Sequence, residues 1–93
     1  MMTFLMLGKY SAAGVQGAKP ARTKKAAALI EKCGGQVKSC HALLGRYDLA
    51  ALVDFPGVKE AMKASFHLSK ATGIAFSSLP AVSVEEFDQL ISG

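Results

Sequence analysis

His41 and Asp48 are the residues whose types could do acid–base chemistry, because they flank a turn at Gly45-Arg46 between two apolar runs. Read as a two-residue hairpin loop, with Gly45 supplying the positive φ such turns require, this turn pairs Leu44 with Tyr47 and Leu43 with Asp48. Side chains alternate along a strand. One face then carries Val37, Ser39, His41, Asp48, Ala50 and Leu52, and the other Lys38, Cys40, Tyr47, Leu49, Ala51 and Val53. The second set is the more apolar and is expected to lie under helices, with Tyr47 packed there. His41 and Asp48 become diagonal neighbours on the opposite face, within reach of each other directly or through water. A carboxylate beside an imidazole fixes its tautomer and favours its protonated form. The first strand should end nearby and bring Lys9 or Tyr10 to the pair, and the alternation Thr3, Leu5, Leu7, Lys9 favours Lys9. Lys9, Tyr10, His41 and Asp48 are therefore the candidate ligand-binding residues, with His41 and Asp48 the candidate catalytic ones. The same pair can equally be an interface hydrogen bond, so that its replacement alters assembly or stability and no ligand.

The elements that must position these residues follow from period and punctuation. Residues 3–10 are short, apolar and bounded by Gly and Ser, which predicts a strand. A Gly-rich loop with Gly14 and Gly17 leads to Pro20, suited to the first turn of a helix in which Ala26, Ile30 and Cys33 recur at helical spacing. Gly34-Gly35 stops it. Residues 36–44 and 47–55 read as strands. Pro56 opens a second helix, with Val58, Met62 and Phe66 on one face, and Gly73 ends it. Residues 74–82 form a fourth strand, and Pro80 within it indicates an edge. Ser83-Val84-Glu85-Glu86 is a capping box opening a short closing helix whose Phe87, Leu90 and Ile91 should be buried.

The order β-α-β-β-α-β with right-handed crossovers gives a ferredoxin-like α+β domain over residues 1–93: an antiparallel sheet, both main helices on one face, and a short C-terminal helix. The bare sheet face and a mean hydropathy of +0.27 predict a homodimer or higher homo-oligomer.

Composition excludes several classes. The chain is 51% hydrophobic and 19% charged, which is globular and not disordered. No apolar run approaches the ~20 residues of a membrane span, and the N-terminal run reads as a strand, not a signal peptide. Cys33 and Cys40 form no disulfide framework and are expected to be buried thiols in a reducing cytoplasm. Adjacent strand residues face opposite sides, so Cys40 and His41 cannot close on one metal, and no metal or other cofactor is expected. Neither a phosphate-cradling glycine motif nor a nucleophile elbow is present.

Residues 1–46 carry eight Lys/Arg against Glu31, whereas 47–93 carry three against six acids. Such asymmetry suits nucleic acid, but the strand aromatics of an RNA-recognition platform are missing, and most of these cations fall on one helix. Nucleic acid is therefore not expected as a partner.

Gly45, Tyr47 and Asp48 form a Gly-x-Tyr-Asp signature, and by it the chain resembles the GYD-domain family. The resemblance extends through Leu7-Gly8-Lys9-Tyr10, Gly14, Arg22, Gly34-Gly35-Gln36-Val37-Lys38 and Val84-Glu85-Glu86-Phe87. It implies a dimeric α+β barrel and no defined activity. Two departures stand out: Asp54-Phe55-Pro56-Gly57 replaces a Glu-x-Pro-Asp-like segment, and His41 replaces a larger aromatic. Three functions are compatible. The first is a homodimer binding a small, partly apolar molecule between sheet and helices. The second is a cofactor-independent isomerase or monooxygenase using His41 and Asp48, and the third a structural or regulatory assembly module.

Overall fold

In a computed structural model describing residues 1–93, four strands form one antiparallel sheet in the order β2-β3-β1-β4. The strands are β1 (Met2–Tyr10), β2 (Gln36–Ala42), β3 (Leu49–Phe55) and β4 (Ile74–Ala81). The helices are α1 (Ala12–Gln16), α2 (Pro20–Lys32), α3 (Val58–Thr72) and α4 (Val84–Ser92). This is the ferredoxin-like arrangement expected from the element order. β4 lies at an edge, where Pro80 removes no ladder bond that a neighbour needs.

Local chemistry accounts for the helix ends. Pro20 stands at the start of α2. The Gly34 and Gly35 amides close its C-terminus by donating to the Glu31 and Ile30 carbonyls, both at 2.9 Å, the crossed pair of a Schellman motif. α1 falls where the sequence suggested only a loop. It forms because Ser11 Oγ accepts the Gly14 amide at 3.0 Å and donates to the Gly73 carbonyl at 2.6 Å, fastening this turn to the end of α3.

The β2–β3 register runs as expected from Ser39 opposite Leu52 to Ala42 opposite Leu49. It breaks at a bulge between Val37 and Ser39. An extra residue in one strand reverses the facing beyond it. Val37 is thus carried to the helix side, and Lys38 reaches Asp54 at 3.5 Å. That corrects the two assignments made from strict alternation. The Thr3 hydroxyl, donating to Asp54 at 2.7 Å, holds this carboxyl below the usual aspartate value; Lys38 assists, against the opposing effect of desolvation.

The core lies between the sheet and α2–α3 and is built on Phe4, Met6, Val53, Phe55, Ala64 and Leu68. The other sheet face is open, with Leu5 opposite Leu52 on one side and Leu79 on the other. α4 buries none of its residues. Its Ser83 cap is formed, with Oγ accepting the Glu86 amide at 3.1 Å, but Phe87, Leu90 and Ile91 are exposed instead of buried. No other element of the chain packs over them. Cys33 is half-buried and Cys40 exposed, so neither is the buried thiol expected.

Candidate functional site

The Gly-Arg-Tyr-Asp segment is a loop tied to the end of β1, not a free two-residue turn. Gly45 adopts φ +146°, a conformation that side chains disfavour, with no neighbouring atom to crowd a Cβ. Asp48 joins three strands. Its amide donates to the Gly8 carbonyl and its carbonyl accepts the Leu43 amide, both at 2.8 Å. Its carboxylate accepts the Tyr10 amide, also at 2.8 Å. Lys9 Nζ donates to the Arg46 carbonyl at 3.1 Å, clamping the loop from the open side.

Three of the four expected ligand-binding residues, Lys9, Tyr10 and Asp48, are thus brought together, but as a structural junction. His41 is not among them. It lies exposed on β2 opposite Ala50 and makes no ion pair with Asp48. The Asp48 carboxylate is turned to a backbone amide at the end of β1 instead. Tyr47 is half-buried and belongs to neither the core nor the cavity described below, so it does not pack under the helices.

Asp48→Ala removes a charged acceptor and leaves the part-buried Tyr10 amide unpaired. The expected loss is about 1–3 kcal/mol of stability, measured by urea unfolding. Asp48→Asn, which keeps an acceptor oxygen, should recover most of it.

An apolar concave feature of the fold lies on the other side of Tyr10. Strand alternation puts Phe4, Met6 and Tyr10 on the helix face, and Lys9 on the open one. Tyr10 therefore lines a cavity of about 150 Å³ between the sheet and α2–α3. Met6, Ile30, Leu49, Leu68 and Phe76 are among its apolar lining residues. Phe76 reaches across β1 because its partner there is Gly8; a Cβ at that position would stand 2.9 Å from the Phe76 ring.

Arg22 also lines the cavity, beside Tyr10. Its guanidinium carbon is 5.3 Å from the Tyr10 ring centroid, a cation–π contact, and Nη1 donates to the Gly14 carbonyl. Sequence reasoning counted Arg22 among the cations of one helix and within the family resemblance, and missed it as a site residue. The signal was present, for Arg22, Ala26 and Ile30 recur at i, i+4 and i+8, the stripe that packs on the sheet.

Fold and cavity together define a small ferredoxin-like α+β domain with an apolar pocket roofed by its two main helices. More particularly, the chain belongs to the GYD domain family, whose model matches residues 4–91. Among solved structures it is similar to the Mycobacterium tuberculosis leucine response regulatory protein LrpA, with a TM-score of 0.58 and 13% identity. The match covers 88% of this chain and 51% of that one, so this chain spans about half the length of its structural neighbour. At that identity the likeness concerns the fold. Comparison with curated proteins gives no match. No helix is long and apolar enough to cross a membrane.

Proposed function

We propose that this GYD domain binds a small, largely apolar molecule between its sheet and helices, and that it works as a homodimer in the reducing cytoplasm, where Cys33 and Cys40 stay free. The observation that carries the binding function is the cavity. Its 15 lining residues include 12 hydrophobic ones, and its roughly 150 Å³ is the size of an apolar cavity known to hold a benzene ring. The acid–base alternative draws no support from the geometry, because His41 has no carboxylate partner. The structural neighbour is named for a leucine response. Here no acidic residue lines the cavity to receive an amino acid's ammonium group, so the likeness carries the fold and not that ligand.

Exposed surface supports the dimer. The chain exposes 6424 Å², whereas a folded monomer of its 9.7 kDa should expose about 5,100 Å². The excess, about 1,300 Å², is more than the roughly 800 Å² each partner covers in a standard interface. The open sheet face and α4 both expose large apolar side chains, among them Leu52, Leu79, Phe87 and Leu90.

Toluene tests the cavity. A ligand of the native state raises its melting temperature. A shift of several degrees is expected, and Ala27→Leu, which fills the cavity from α2, should abolish it. No shift, or an equal shift in both proteins, would count against the proposal.

A further inference from the structure

Resting on the cavity reading above, we infer that the ligand is a small apolar carboxylate and that Arg22 is the residue that holds its carboxylate group. Arg22 is the one charged residue lining the cavity. It is half-buried, and no carboxylate of the protein lies within 4.0 Å of it, the ion pair of this chain being Lys38 with Asp54. A guanidinium removed from water without a counter-ion is costly unless something supplies the negative charge. One N–H is used on the Gly14 carbonyl, and the guanidinium has more donors than that bond engages. The cation–π contact with the Tyr10 ring and the bond to the Gly14 carbonyl hold the group in place before a ligand arrives. A planar carboxylate is the group that such a fork accepts in two parallel hydrogen bonds.

The surroundings point the same way. Arg22, Ala26, Leu68 and Thr72 also line a groove between α2 and α3, into which Lys25, Lys32, Lys63 and Lys70 project and no acid does. Positive potential in a groove that shares Arg22 with the cavity attracts an anion and disfavours a cation. Behind the guanidinium the wall is apolar. The site therefore asks for a molecule charged at one end, with an apolar body near the size of a benzene ring.

Phenylacetate, its neutral isostere phenylacetamide, and toluene separate the charged contribution from the apolar one. By calorimetry, phenylacetate should bind the intact protein about tenfold or more tighter than the amide, the scale of one charge-assisted hydrogen bond. Added salt should narrow that gap. Arg22→Gln should erase it while leaving toluene bound, and Arg22→Lys should keep part of it. Equal affinity for acid and amide, or a preference that survives in Arg22→Gln, would overturn the role of Arg22 and leave the cavity reading standing. If toluene also fails to bind the wild type, the cavity reading falls and this inference with it. Should Arg22→Gln not fold, the Arg22→Lys and salt series on folded protein decide the matter: a preference insensitive to both refutes it.

Discussion

Phe55→Ala is expected to lower the free energy of unfolding by about 3–5 kcal/mol, read as a fall in the urea midpoint at unchanged slope. Phe55 is wholly buried, and its ring meets that of Phe4 edge-on, with centroids 5.8 Å apart and planes at 70°. The surrounding chain is shaped to it. A Cβ built at Gly35 would stand 2.6 Å from the Phe55 ring, so the backbone between α2 and β2 already passes as close as an unsubstituted residue allows. The Gly35 amide is also bonded to the Ile30 carbonyl at 2.9 Å, which limits how far this segment can move into a vacated space. Truncation should therefore leave most of its cavity unfilled, the condition for the upper part of the range. Against a total of about 5–15 kcal/mol for an ordinary domain, that threatens folding itself. Phe66, which is 62% exposed on α3, is the control, and its replacement by Ala should cost within about 0.5 kcal/mol. A loss below about 1 kcal/mol at Phe55 would mean that β3 and α2 close over the gap.

The fold was legible because the four strands, the two main helices and the closing helix carry their own period or boundary signals. Pro20 opens α2 and Pro56 precedes α3, Gly34 and Gly73 follow these helices, and Ser83 caps the last. None of those signals depends on tertiary contacts. The bulge at Lys38 does. No Gly or Pro marks it, and it brings Val37 to the apolar side, where a valine is better placed than a lysine. α1 depends on tertiary structure too. A Cβ at Gly14 would stand 2.8 Å from the Gly73 carbonyl, so this turn owes its place to a contact from the far end of α3.

The site was less legible, and for a chemical reason. Pairing an imidazole with a carboxylate by strand register treats both side chains as free to meet. Register placed Asp48 correctly opposite Leu43, as the Leu43 amide bond to its carbonyl shows. It could not show that the end of β1 offers an amide to the carboxylate first. Arg22 was hidden by its neighbours Lys19, Lys24 and Lys25, which make the start of α2 look like a solvated face. Helical spacing to Ala26 and Ile30 separates it from them.

Leu5→Glu is expected to convert the proposed dimer into a monomer while leaving the protomer folded. Leu5 stands at the middle of the open sheet face, between Leu52 and Leu79. Leu52 is 39% and Leu79 47% exposed, so these side chains stand partly in water unless a second copy covers them. Packing the two faces together would bury the two introduced carboxylates near each other, and each buried ion costs several kcal/mol even after relaxation. A penalty of that size weakens association by more than about a thousandfold. In the separated protomer the same carboxylate faces water, so the circular dichroism spectrum should be unchanged. Light scattering should read twice 9.7 kDa for the parent and 9.7 kDa for the variant. A second substitution, Phe87→Ser, tells whether α4 shares in the contact, because its apolar side is exposed within its own protomer. If Phe87→Ser weakens the dimer as well, the interface extends from the sheet onto α4. If the parent runs as a monomer at micromolar concentration, the apolar face is not covered by a second copy.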